Sequence, residues 1–344
     1  MKKLMMSVMI LGSMSASAID ITITETACSN SGVYTNANCA QLTNEVKNLV
    51  DEDLPDVSIG DYGTGIANAN GFAYKGLGSD YSDTFTFFSV RGALGAAVDG
   101  DIDKPEAANG IGIGAAVTVG LNLDILPVDK IGPVDLDKMD LFVSFMSYNM
   151  DQDQDDLEIK GDISSFAVMA RYRIVDGIDF VPGYMLQWGG VYLHTGLQRS
   201  SWDASVKSIF DDQQVDINGA NATFKNANAK FDIDTTTTTI PVEISTYLRA
   251  AYVFTLFGGA GFDLVSGSTD VSLKASGTVE AGSASDYAAS ISASESDSGD
   301  ADLTNFRAFF GVQFNIPFVR VYAQMNKGIG NDLIGANAGV KFVF

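Results

Sequence analysis

Ile111, Ile113, Ala115, Val117, Val119, Leu121, Leu123 and Ile125 fall on one face of an extended chain; Gly112, Gly114, Ala116, Thr118, Gly120, Asn122 and Asp124 fall on the other. Period two sustained over about fifteen residues predicts a strand with one greasy face, long enough to cross a bilayer at a tilt. The alternation recurs at residues 84–98, 140–150, 164–174, 183–198, 238–253, 256–266, 305–315, 319–326 and 334–344, giving ten predicted strands. The stretch 140–150 is apolar on both faces, with Leu141, Val143 and Phe145 against Phe142, Met146 and Tyr148. That pattern favours contact with a plug or a subunit interface.

The connections sort by length. Those at 175–182, 254–255 and 316–318 are short and apolar or aromatic, and 126–139 joins them as a longer member with Pro127 and Pro133. Those at 99–110, 151–162, 200–237 and 267–304 are long and polar, and 327–333 is the brief member of that side. Short turns on one rim and long loops on the other is how outer-membrane barrels treat periplasm and exterior. Ten strands then place both chain termini on the periplasmic side. The two longest loops hold alternating polar stretches at 215–231 and 271–280, which suit hairpins prolonging the barrel above the membrane.

The final strand alternates Ala336, Ala338, Val340, Phe342 and Phe344 against Asn337, Gly339, Lys341 and Val343, and it ends on an aromatic. It resembles the closing strand of bacterial outer-membrane β-barrels. The resemblance implies outer-membrane lipids as surroundings and recognition by the barrel-assembly machinery through Phe344. The fold class is therefore all-β: an antiparallel up-and-down transmembrane barrel of about ten strands over residues 84–344.

Lys2 and Lys3, the apolar stretch 4–14 and Ala16-Ser17-Ala18 form the three regions of a secretory signal peptide over residues 1–18. Residues 19–83 form a separate periplasmic or lumenal segment. Leu42, Val46, Leu49 and Val50 predict one amphipathic helix over 41–53, ended by Pro55 and followed by Gly-rich coil. Such a segment is too small for its own core and packs either inside the barrel or under its rim. The block from Asn70 to Tyr81 (NGFAYKGLGSDY) is similar to a segment of porin-like barrels of predatory bacteria that assemble as rings enclosing lipid. That similarity implies a homo-oligomer.

Composition adds three constraints. Among 344 residues, 46% are apolar, with 21 Phe, 12 Tyr, 35 Gly and only 7 Pro, as in a secreted all-β chain. A net charge of −22 argues against a nucleic-acid partner. Cys28 and Cys39 are the only cysteines, and an oxidising periplasm predicts a disulfide between them, two free thiols being the other state.

Arginine placement is the sharpest chemical signal. Arg91, Arg171, Arg173, Arg249, Arg307 and Arg320 occupy the less apolar faces of predicted strands. Facing lipid near the midplane would cost about 2–4 kcal/mol each, so they line the lumen. Two readings follow. Either they pair with Glu243, Asp124 and Asp263 and fill a narrow interior, or they form a cationic ladder selecting anions.

Catalysis and metals find little support. His194 is the single histidine, no Asp-x-His spacing accompanies it, and Ser200 and Ser201 are only neighbours in sequence, so no enzyme is expected. Asp99, Asp101 and Asp103, then Asp151, Asp153 and Asp155, repeat a D-x-D-x-D pattern that suits Ca²⁺. The second run has Asp156 and Asp162 where an EF-hand needs Gly and Glu, so no metal or cofactor is assigned. Two functions remain: a porin-like channel or structural barrel, and a barrel-anchored surface interaction protein acting through acidic outer loops.

Overall fold

The computed structural model describes residues 20–28, 44, 59–82, 87–100, 108–154, 156–181, 186–217, 220–281 and 287–344. The signal peptide, Cys39 and all but Asn44 of the helix predicted over 41–53 lie outside these residues, as do Asp101, Asp103 and Asp155.

An N-terminal strand β1 (Asp20–Cys28) precedes helix α1 (Ile59–Ala73). Ten long strands follow: β2 (Phe88–Gly100), β3 (Ala108–Asn122), β6 (Met139–Gln154), β7 (Leu157–Val175), β9 (Leu186–Ile209), β11 (Ala220–Ala250), β12 (Phe254–Ala281), β14 (Thr304–Ile316), β15 (Val319–Gly328) and β16 (Ile334–Val343). Each pairs antiparallel with the next, and β16 returns to β2, so the sheet closes on itself. These are the ten strands the alternation predicts. Closure leaves no open edge within the ring. The seam is tied by the C-terminus: Phe344 donates its N–H to Phe88 O at 3.0 Å, and the two rings stack at 4.6 Å.

The outer wall is a greasy belt. Phe306, Phe310 and Phe314 of β14 are 56%, 57% and 54% exposed, and Leu94, Val143, Phe166 and Ile244 face the same way. Apolar surface on this scale needs a hydrocarbon environment. At the short-turn rim sit two small connecting pieces, the hairpin of β4 (Lys130–Ile131) and β5 (Val134–Asp135), and β8 (Ile178–Val181) against β9.

At the opposite rim the strands outgrow the belt. β11 continues outward for residues 220–237, a wall about 60 Å long at roughly 3.3 Å per residue. β9, β12 and β7 rise beside it, β10 (Gln213–Ile217) hairpins onto β11, and β13 (Tyr287–Asp300) descends on β12 before β14 resumes the barrel. The long loops are thus largely sheet, the extended-hairpin arrangement suggested by the alternation at 215–231 and 271–280.

Two expectations need correction. The coil predicted before the barrel contains α1, which lies inside the lumen. Its glycines read as coil, while Ile66 packs on Phe231, Ile233 and Val271, and Ala69, Phe72 and Ala73 pack with Ala97 and Leu333. The N-terminal strand is not at the short-turn rim: β1 pairs with β13, Asp20 against Ser294 and Cys28 against Tyr287, beyond the long-strand rim.

Candidate functional site: a plugged lumen and an acidic outer wall

The plug descends along β3 one helical turn for every two wall residues. Gly110 stands against Gly65 and Ile66, Gly112 against Ala69 and Asn70, and Gly114 against Ala73 and Tyr74. Four helical residues rise about 6 Å and two strand residues about 6.6 Å, so the ladders keep step. A Cβ on Gly112 would sit 2.2 Å from Ala69 O, and one on Gly110 would sit 2.0 Å from Gly65 C. The bare inner face of β3 therefore lets the helix backbone lie directly on the wall. Above the barrel, Ile66 packs with Phe231, Ile233 and Val271 on the inner face of the raised sheet. Lower down, Tyr74, Leu77 and Tyr81 join Tyr192, Tyr247, Phe257, Phe309 and Tyr322 in an aromatic floor.

Charged groups lock the plug to the wall. Lys75 lies 3.2 Å from Asp263, and Arg307 donates from Nε to the other oxygen of that carboxylate at 3.1 Å and from Nη2 to Glu243. Arg171 donates from Nε to Asp140 at 2.7 Å and from Nη1 to the Asp80 carbonyl at 2.7 Å. Arg91 donates to the carbonyls of Leu77 and Ser79. Arg91, Lys341 and Arg320 are directly paired across β2, β16 and β15, a row of three cations. Asp80 of the plug stands before this row, its carboxylate accepting from Lys341 and Ser82. Arg91, Arg171 and Arg307 thus each meet an acid or a plug carbonyl. The gap among Asp80, Tyr81, Ser82, Arg91, Gln313 and Lys341 has no room for a water molecule.

Most of the sequence-predicted lumenal residues come together here. Arg91, Arg171, Arg307, Glu243 and Asp263 are buried within this network, while Arg249 and Arg320 are half-buried nearer the short-turn rim. Two depart from it. Arg173 is half-exposed at that rim and pairs with Asp176 at 3.1 Å. Asp124 is exposed, because β3 ends at Asn122 and the chain turns into a 3-10 helix capped by the Asn122 side chain. His194 is fully buried between Ser79, 2.8 Å from Nδ1, and Ser245, 2.7 Å from Nε2. Sequence reading left out Lys75, Asp80 and Asp140. A lysine on the mixed face of the final strand, Lys341, was the available hint that acids stand opposite.

A second feature lies on the outside. Asp162, Asp203, Asp234 and Asp270 are in direct register across β7, β9, β11 and β12, and all four are exposed. Desolvation, followed by the carboxylates of Asp234 and Asp162, raises the Asp203 carboxyl above its ordinary value. Asp151 and Asp153, from the repeated D-x-D-x-D pattern, are exposed on β6 opposite Lys160 and Glu158.

Among solved structures, the translocator domain of the autotransporter NalP from Neisseria meningitidis is similar at 12% identity. It covers 75% of this chain and 89% of that one, with a TM-score of 0.32. The β-domain of the Bordetella autotransporter BrkA is similar at 11% identity over 75% of this chain and all of that one, with a TM-score of 0.26. Ail, the attachment invasion locus protein of Yersinia pestis, is similar at 14% identity over 75% and 100%, with a TM-score of 0.24. No curated protein sequence matches the chain. The Lsa36-like family model matches residues 20–344, and the chain belongs to that family.

Proposed function

We propose that this chain is an outer-membrane barrel that works as a sealed anchor and display wall rather than as an open pore. The observation that carries the reading is the filled lumen. Residues 59–82 run down its axis: their carbonyls accept from Arg91 and Arg171 and Asp80 accepts from Lys341, while the wall acids Asp140, Asp263 and Glu243 pair with Arg171 and Arg307. A pore selective by charge needs cations facing water; here Arg91, Arg171 and Arg307 face protein.

The raised sheet is what the anchor presents. Its outer face carries the four-aspartate row, and such a row favours a cationic partner surface, with attraction that weakens as salt rises. Outer-membrane lipids cover the belt below, and the Phe88–Phe344 seam is where the assembly machinery would meet the closing strand. His194, enclosed between two hydroxyls, serves packing and hydrogen bonding in this reading, and the chain is not an enzyme.

Planar-bilayer recordings on the folded, detergent-purified chain test the reading. The plugged barrel gives no steady conductance, whereas the double variant Lys75→Met with Asp80→Asn, which unlocks the plug, opens an anion-preferring path. Steady anion-selective conductance from the unaltered chain would favour the channel instead.

A further inference from the structure

We propose that this barrel exports its own N-terminus: strand β1 stands outside the cell, and the barrel lumen is the passage by which the chain reaches it. The inference rests on the outer-membrane reading above. Three observations place the path. β2 begins at the short-turn rim, where Phe87 donates to Phe344 O. From there back toward the N-terminus the plug climbs the lumen. Ser82 lies beside Gln313, Lys75 beside Asp263, Asn70 beside Ser200 and Thr237, and Gly63 beside Gly299 of β13. Finally β1 is hydrogen-bonded to β13, which lies wholly beyond the belt.

Both described neighbours of the intervening residues, Cys28 and Ile59, are therefore on the long-strand side, and residues 59–87 join that side to the opposite rim. No route around the barrel exists for such a chain, because the ring is closed and its outer face is in hydrocarbon. Ile66 and Phe72 are 1% exposed, so in the folded chain the segment fills the passage it has taken. The plug is then the trailing part of an exported segment, and the edge strand β1 is its surface-displayed part.

Thr24 is exposed on β1 and gives a reporter. Thr24→Cys is made in the full chain with Cys28→Ser and Cys39→Ser, beside matched single-cysteine controls Asp153→Cys at the long-strand rim and Val128→Cys at the short-turn rim. Intact cells are treated with a membrane-impermeant maleimide, and unheated gel mobility reports folding; Thr22→Cys replaces Thr24→Cys if that variant does not fold. The expected result is labelling at residue 24 equal to that at residue 153, with residue 128 labelled only after the membrane is permeabilised. Labelling at 153 with protection at 24 would overturn the export and leave the anchor standing. Protection at both would overturn the orientation of the barrel, and the export with it.

Discussion

Lys75 of the plug and Asp263 of β12 stand 3.2 Å apart, with side chains 1% and 0% exposed. Arg307 shares the same carboxylate and also holds Glu243, so two cations and two acids form one buried unit joining plug to wall. Removing one member leaves charge without compensation, and a broken buried pair costs about 3–5 kcal/mol. Arg307→Met is therefore expected to lower unfolding stability by that amount in detergent. Adding Glu243→Gln should recover part of the loss. Urea unfolding followed by unheated gel mobility reads both; an unchanged midpoint in Arg307→Met would count against the buried unit.

Gly112 lies where the helix backbone presses on β3. Gly112→Val places carbon into the space held by Ala69 O, and overpacking of this kind costs about 1–3 kcal/mol. The cheapest relief is movement of the plug, since the wall is closed. Bilayer recordings should show flickering conductance in Gly112→Val. The control Gly92→Ala should stay silent, because Gly92 faces open space.

The outer aspartate row carries a pH signature. Its raised carboxyl, Asp203, binds its proton more tightly in the folded chain than in the unfolded one. The linked stability is fully present below the unfolded carboxylate range and is lost as pH rises through the folded value. Asp203→Asn should accordingly be more stable than the parent at pH 7, by about 0.2–1 kcal/mol for each like-charged neighbour removed. The difference should vanish on acidification and shrink in high salt. Thermal melts at both pH values and two salt concentrations measure it.

Phe344 closes the ring against Phe88, and such aromatic pairs contribute about 0.5–1.5 kcal/mol beyond their buried area. Phe344→Ala should keep the β16–β2 hydrogen bonds yet lower both the melting temperature and the yield of assembled barrel. Phe344→Trp should restore them. Equal yields from all three chains would remove the ring from any part in assembly.

The barrel was legible because lipid outside and a polar lumen inside force alternation on every strand; Phe306, Phe310 and Phe314 against Arg307, Phe309 and Gln313 is that constraint written in one segment. The helix was not legible. Gly60, Gly63, Gly65 and Gly71 make IGDYGTGIANANGFA read as coil, yet Gly63 lets Gly299 of β13 and Gly71 lets Thr237 of β11 come close. Pairing was also hidden. Lys75 finds Asp263, and Asp80 finds Lys341, only after the strands between them have closed into a ring. Asp124 was misplaced for a local reason, since a 3-10 turn ends the alternation two residues before the sequence pattern does.

The presence of the plug in the lumen can be tested by one covalent measurement. A Cβ on Gly71 would lie 3.8 Å from the Cβ of Thr237, the mean separation in a disulfide. Gly71→Cys with Thr237→Cys, made in a chain lacking Cys28 and Cys39, should oxidise to an intramolecular disulfide in the folded, unheated barrel. Recovery of both residues as free thiols under the same oxidation, in chains that retain folded mobility, would place the plug elsewhere and contradict the sealed lumen.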